Sequence, residues 1–169
     1  MSLVAIALGS ILMSMPTPAG ATAGHVSLVD FDGCWAGTGD VTGLEVTAKL
    51  KVSPILSGTH RLFEVESRLK TNANDRYSAH IIVAETADVP GVLISYYADG
   101  FGGDFAASGK GTIEADGLSI EYARPRYAEV NRWKIDGSVL RWTNTVVRAP
   151  DDQLVAHTYE MSRVGCTGA

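Results

Sequence analysis

The stretch Phe31-Asp32-Gly33-Cys34-Trp35-Ala36-Gly37-Thr38-Gly39 decides the fold. It holds one of the two cysteines of the 169-residue chain, and the other, Cys166, stands almost at the far end. Directly after it, Leu44-Glu45-Val46-Thr47-Ala48-Lys49-Leu50-Lys51-Val52 is apolar at every even position and polar at every odd one. That period of two is the mark of a half-buried strand.

Outward from this pair of runs the same grammar repeats. Strands are expected over about 34–42, 44–52, 61–69, 76–86, 92–97, 104–114, 118–122, 128–135, 139–148 and 154–164. Turn chemistry separates them: Thr42-Gly43, Pro54 with Ser57-Gly58, Asn72 to Asp75, Val89-Pro90-Gly91, Asp99-Gly100, Asp116-Gly117, Asp136-Gly137 and Ala149-Pro150. The run 104–114 is glycine-rich and the weakest of the ten, with glycine marking a bulge or sharp bend. No stretch from residue 24 onward follows a helical period. The expected class is all-β: a single up-and-down antiparallel β-barrel of about ten strands, closed so that its long strands leave no free edge.

Residues 1–23 carry no charged side chain, and the apolar run from Leu3 to Met13 is too short to span a bilayer. With Pro16, Pro18 and Ala21-Thr22-Ala23 behind it, this segment reads as a signal peptide cut after Ala23; the alternatives are a buried helix or a short anchor. The barrel domain would then be residues 24–169, secreted or periplasmic, with no membrane span of its own. Gly24 to Asp30 reads as a loosely ordered approach. Two cysteines in an oxidising compartment are most simply one disulfide, Cys34 to Cys166, against the alternative of two buried thiols. A net charge of −5 and a pI of about 5.3 give no basic footprint for nucleic acid.

An even strand count makes the first and last strands antiparallel neighbours. With Cys34 set opposite Cys166, period two places Trp35 and Arg163 on one face, diagonal to one another, as a cation–π pair. Both cysteines fall on the outer face. On the last strand Val155, His157, Tyr159 and Met161 share the inner face with Arg163.

At this point the residues resemble the calycin superfamily. Gly33-Cys34-Trp35 is similar to the Gly-x-Trp that opens the first strand of lipocalins and their relatives, and Arg163 to the basic residue packed across that tryptophan. The extended form Trp35-Ala36-Gly37-Thr38-Gly39 is closer to bacterial lipocalin-like and nitrobindin-like barrels. The resemblance implies a barrel that binds a small, mostly hydrophobic ligand inside. In a few relatives it implies an enzyme, and in nitrobindin-like members haem held by a histidine near the C-terminal strand.

The residues themselves point to binding ahead of catalysis. No HExxH, CxxC or GxSxG pattern occurs, so no catalytic group is assigned. Ser108-Gly109-Lys110-Gly111-Thr112 misses the phosphate-loop spacing and reads as a bent strand. His25, His60, His80 and His157 are scattered without zinc spacing, and no metal is expected. His157 is the one directed inward, as a ligand-contacting residue, a haem ligand, a general base or a hydrogen-bonded interior histidine. Phe63, Tyr77, Ile81, Tyr96, Trp133, Trp142, His157 and Tyr159 are the expected ligand-binding set, with a packed core as the alternative. Arg124, Arg126 and Arg132 either rim a mouth or sit in solvent. No cofactor is expected, apart from haem if His157 serves it. The competing roles are a haem or isomerase-type barrel using His157, and a filled-core envelope protein. Nothing in the sequence sets the oligomeric state.

Overall fold

A computed structural model describes residues 26–166. The proposed leader, with His25, lies outside the described residues. Ten antiparallel strands close into one barrel. They are β1 (Gly33–Val41), β2 (Leu44–Ile55), β3 (His60–Leu69), β4 (Arg76–Glu85), β5 (Val92–Asp99), β6 (Ala107–Glu114), β7 (Gly117–Ala123), β8 (Ala128–Asp136), β9 (Val139–Ala149) and β10 (Asp152–Val164). Each pairs with its neighbour in sequence, and β1 pairs with β10. The fold is the up-and-down barrel that the period-two runs dictate.

Four local readings change. β2 continues past Pro54 to Ile55. Its pairing with β1 ends at Val52, so the missing Pro54 N–H costs no ladder bond on that side. The glycine-rich run is a strand only from Ala107; Gly103–Phe105 is a single 3-10 turn across one barrel end. In the β6–β7 hairpin Gly117 is not the turn residue. It opens β7 where a Cβ would stand 1.8 Å from the Trp133 carbonyl oxygen, so it is needed for close approach. In β10 the ladder slips between Val155 and His157, a β-bulge that turns Val155 outward, 56% exposed, while His157 stays inside.

The β1–β10 register places Cys34 opposite Val164 and Trp35 directly opposite Arg163, two residues from the expected pairing. A shift of two preserves parity, so every face assignment on β1 survives. Arg163 is not diagonal to Trp35 but stacked on it, its guanidinium carbon 4.2 Å from the ring centroid. Cys166 lies just past the end of β10 and is bonded to Cys34 across a Cα–Cα distance of 5.2 Å.

From Val26 onward the approach segment is ordered rather than loose. Leu28–Phe31 forms a 3-10 turn fixed by Asp30, whose carboxylate accepts from the Ser27 amide at 2.7 Å and the Ser27 hydroxyl at 3.0 Å. Phe31 is fully buried and plugs one barrel end. Trp35 Nε1 donates to the Phe31 carbonyl at 2.9 Å, and Arg163 donates to the carbonyls of Asp30 and Asp32 at 2.7 and 2.5 Å. Arg61 pairs with Asp32 at 2.7 Å from the β3 side. One arginine thus holds the plug and caps the indole at once. Arg163→Ala is expected to cost roughly 2 kcal/mol, from charge-assisted hydrogen bonds and a cation–π contact. Arg163→Lys is expected to recover only part of it, because an ammonium cannot reproduce the planar fork. Urea unfolding midpoints check both.

From that plug an aromatic column climbs the interior. Phe31 meets Phe63 at 5.9 Å, Phe63 meets Trp133 at 5.9 Å, Trp133 stacks on Trp142 at 5.5 Å, and Trp142 stacks on Tyr159 at 4.8 Å. Leu50, Ile81, Leu93, Leu118, Ile120, Leu140 and Met161 fill the space around the lower rings. The plugged end is therefore a packed core, and the column ends beneath the opposite mouth.

Candidate functional site

The open end is where β1 finishes at Val41, β5 at Asp99 and β9 at Ala149, and where β8 begins at Ala128. Two connected hollows lie there. The larger, about 350 Å³, is lined by Tyr77, Tyr97, Asp99, Trp142 and His157 among others, with Phe101 and Phe105 from the β5–β6 connection at its rim. The smaller, about 200 Å³, is walled by Val41, Leu44, Val46 and Leu69 and reaches Tyr159. Tyr77, Phe101 and His157 border both. The floor of the larger hollow is the edge of the Trp142 indole, whose two faces are covered by Trp133 and Tyr159.

Period two explains the lining. On β8 and β9, Trp133 pairs with Trp142, and two residues nearer the mouth Asn131 pairs with Asn144 on the same face. Trp142 Nε1 donates to Asn131 Oδ1 at 2.8 Å, and Asn144 Nδ2 donates to the same oxygen at 3.1 Å. These bonds fix the N–H edge of the indole at the floor. Across the hollow, Tyr97 donates to the Asp99 carboxylate at 3.0 Å and is in turn hydrogen-bonded to Tyr77. Because Tyr97 spends its proton on Asp99, Tyr77 is the donor in the second bond, and its oxygen keeps only acceptor capacity. Burial pushes both phenols well above their ordinary pKa, so they act as neutral hydrogen-bonding groups.

His157 stands edge-on to Tyr159 at 6.3 Å. Burial lowers its pKa below the usual 6.5, with the Glu129 carboxylate pulling partly back. Glu129 is itself paired with Arg124 at 3.2 Å. The neutral imidazole is therefore the folded form near pH 7. Below pH 6.5 the unfolded chain takes up a proton that folded His157 resists, so stability falls as pH drops from 6.5 through the lowered value. His157→Leu is expected to flatten that part of the profile, which denaturant melts between pH 7.5 and 5 measure. Tyr159 is buried with Ser67 as its neighbour, but its hydroxyl has no partner at hydrogen-bond geometry.

Of the eight residues expected to bind ligand, the structure gathers four at the mouth: Tyr77, Trp142, His157 and Tyr159. Phe63, Ile81 and Trp133 face inward but lie fully buried in the packed half, below the floor. Tyr96 is on the outer face, 55% exposed, and the inward residue is Tyr97. In the run Val92-Leu93-Ile94-Ser95-Tyr96-Tyr97 both faces look apolar, so the pattern does not fix parity. Leu93 and Ser95, both fully buried, fix it in the structure. Asn131 and Asn144 were absent from the sequence-based set although their signal was available, each two residues from an inward tryptophan on the mouth side. Phe101 and Phe105 carried none, since Phe101 sits in what reads as a plain glycine turn and Phe105 in what reads as the weakest strand.

Arg124 reaches the rim but is held by Glu129 and by the carbonyls of Phe105 and Ala106 at 2.9 and 3.3 Å, so it braces the rim connection. Arg126 and Arg132 are exposed. A hollow beside the disulfide, lined by Lys49, Lys51, Glu64 and Glu66, is on the outer face and does not reach the interior. Among the described residues, no cluster of His, Cys, Asp and Glu is arranged to hold a metal ion, and no helix is long and apolar enough to cross a membrane.

No protein-family model matches the chain, and no curated protein matches it. Solved structures do. The chain is similar to Rv2717c from M. tuberculosis, with a TM-score of 0.63 and 16% identity, covering 81% of this chain and 94% of that one. It is also similar to the S-type phycobiliprotein lyase CPES from Guillardia theta, with a TM-score of 0.57 and 11% identity, covering 81% and 90%. At these identities the likeness is one of fold. The strand count, the closure and these neighbours agree on one fold, a closed up-and-down antiparallel barrel.

Proposed function

We propose that this protein is an extracytoplasmic binding barrel that takes a small, flat, mostly apolar molecule at its open end. The observation that carries the reading is the asymmetry of the interior. One end is plugged by Phe31 and filled by the aromatic column; the other keeps a hollow of about 350 Å³ floored by a hydrogen-bonded indole. That volume is within the range of small-molecule sites, and an aromatic wall with a few convergent polar groups is their usual chemistry. One fold neighbour is a phycobiliprotein lyase, so a barrel of this fold serves an activity in at least one other protein. The disulfide suggests a non-reducing, extracytoplasmic setting, in keeping with a cleaved leader at residues 1–23.

Nile red, a neutral flat dye, tests the reading. At a hundredfold excess over its Kd a bound ligand adds about 2.7 kcal/mol of stability, so the melting temperature is expected to rise measurably. His157→Trp, which fills the space between the two hollows, is expected to abolish the rise. A melting temperature indifferent to the dye, or a rise unchanged by His157→Trp, contradicts the proposal.

A second reading, haem on His157, has one observation in its favour: a neutral imidazole borders both hollows. Against it, Phe101 and Phe105 crowd the rim, and Arg124 and Arg148 are already paired with Glu129 and Asp152. Added haemin giving a Soret band that His157→Ala removes would favour this reading; the absence of a band eliminates it.

A further inference from the structure

The β5 side of the mouth points to the class of ligand. The charged side chains lining the larger hollow are Asp99, Arg124, Glu129 and Arg148. Arg124 is matched by Glu129 at 3.2 Å, and Arg148 by Asp152 at 3.5 Å. Asp99 alone has no cation within ion-pair distance among the described residues. Its carboxylate is held instead by two neutral donors, the Tyr97 hydroxyl at 3.0 Å on one oxygen and the Phe101 amide at 2.9 Å on the other. A carboxylate has about four lone-pair sites, so each oxygen keeps acceptor capacity. The protons behind it run one way. Tyr97 gives its proton to Asp99, and Tyr77 gives its own to Tyr97. The Asp99–Tyr97–Tyr77 chain therefore leaves a ligand acceptors only, at Asp99 and at the Tyr77 oxygen. Exposed rings stand beside it. Phe101 is 69% exposed and Phe105 46%, both border the hollow, and the Phe101 ring centroid lies 5.7 Å from that of Tyr77. An unmatched negative charge among aromatic side chains suits an organic cation, which gains from the carboxylate and from the ring quadrupoles together.

Resting on the reading of this hollow as the ligand site, we infer that its ligand carries a positively charged nitrogen with N–H donors, a protonated amine or an iminium, on an otherwise flat apolar body. The N–H groups donate to Asp99 and to the Tyr77 oxygen, and the charge sits among Tyr77, Phe101 and Phe105. The apolar body extends into the hollow towards His157 and the edge of Trp142. Such a site selects by rejection as well as by attraction. A carbonyl or ether oxygen in the same place sets a lone pair against the Asp99 carboxylate, and an anion adds like-charge repulsion.

Nile blue is the cationic counterpart of Nile red, with the same fused ring and an iminium NH2 in place of the carbonyl oxygen. Titrated into the full-length protein at physiological salt and followed by dye fluorescence, Nile blue is expected to bind roughly tenfold more tightly than Nile red. Asp99→Asn keeps the shape and an acceptor but drops the charge, and is expected to bring Nile blue down to the level of Nile red. Asp104 lies exposed on the same connection and does not line the hollow. Asp104→Asn makes the same change in net charge, and is expected to leave the preference intact. Tyr77→Phe removes the other acceptor and is expected to weaken the preference severalfold. A circular dichroism melt of each variant confirms the fold. Equal affinity for the two dyes, a preference that survives Asp99→Asn, or one that Asp104→Asn removes as fully, overturns the inference and leaves the binding site standing. Failure of both dyes to bind overturns both.

Discussion

Replacing both bridging cysteines, Cys34→Ala with Cys166→Ala, is expected to lower stability by about 4 kcal/mol and the melting temperature by roughly 10–15 °C. The bridge joins residues 132 apart in sequence, so its loss frees nearly the whole described chain in the unfolded state. Chain-entropy scaling puts a loop of that length near 5 kcal/mol, and measured values run somewhat lower. The loss acts mainly on the unfolded ensemble, so the denaturant slope should rise as that ensemble expands. Ligand affinity should not change, because the bridge lies on the outer face at the plugged end. Thermal and urea melts of the double variant under non-reducing conditions measure it. A loss under 1 kcal/mol would mean that the β1–β10 ladder alone closes the barrel.

Trp133→Ala is expected to cost about 4 kcal/mol, the range for deleting a large aromatic side chain from a packed core. Trp133 is fully buried between Phe63 and Trp142, so its removal leaves a void in the middle of the column. The void also lies under the floor of the ligand site, so affinity for a flat ligand should fall along with stability. Trp133→Phe separates two contributions. It loses part of the packing but also removes a buried indole N–H that has no partner, a group whose burial unpaired costs about 1–3 kcal/mol. The Phe variant is therefore expected to lose less than half of what the Ala variant loses. Urea denaturation of both, with the dye titration repeated on each, measures the two effects.

The barrel was legible because its evidence is local and repeated. Even-position apolar residues from Leu44 to Val52, and a turn signal after nearly every run, need no tertiary information. The Cys34–Cys166 bridge followed from two cysteines behind an expected leader, the Trp35–Arg163 pair from parity once those cysteines were set opposite, and a register error of two left parity intact. What failed was whatever breaks the period. The bulge before His157 turned Val155 outward without a sequence cue. Tyr96 and Tyr97 both suit a strand, and only the buried positions of Leu93 and Ser95 decide between them. The site was half legible for a related reason. Period two shows which residues face inward but not their height along the barrel. Phe63, Ile81 and Trp133 were inside yet on the wrong side of the floor. Height is set by where the plug sits, and Phe31 follows directly on a segment, Gly24 to Asp30, that reads as a loose approach, so no pattern marks it as the plug.

The central claim is that ligand enters the end opposite the disulfide and lies beside Trp142 and His157. The three indole N–H signals report on three surroundings: Trp35 under Arg163 at the plugged end, Trp133 in the packed core and Trp142 at the edge of the open hollow. In a ¹⁵N-correlated NMR titration with Nile red, the Trp142 indole and the Asn131 and Asn144 side-chain amides are expected to shift together, with Trp133 moving less and Trp35 not at all. Shifts centred on Trp35, or no shift at Trp142 at saturating probe, would contradict the account.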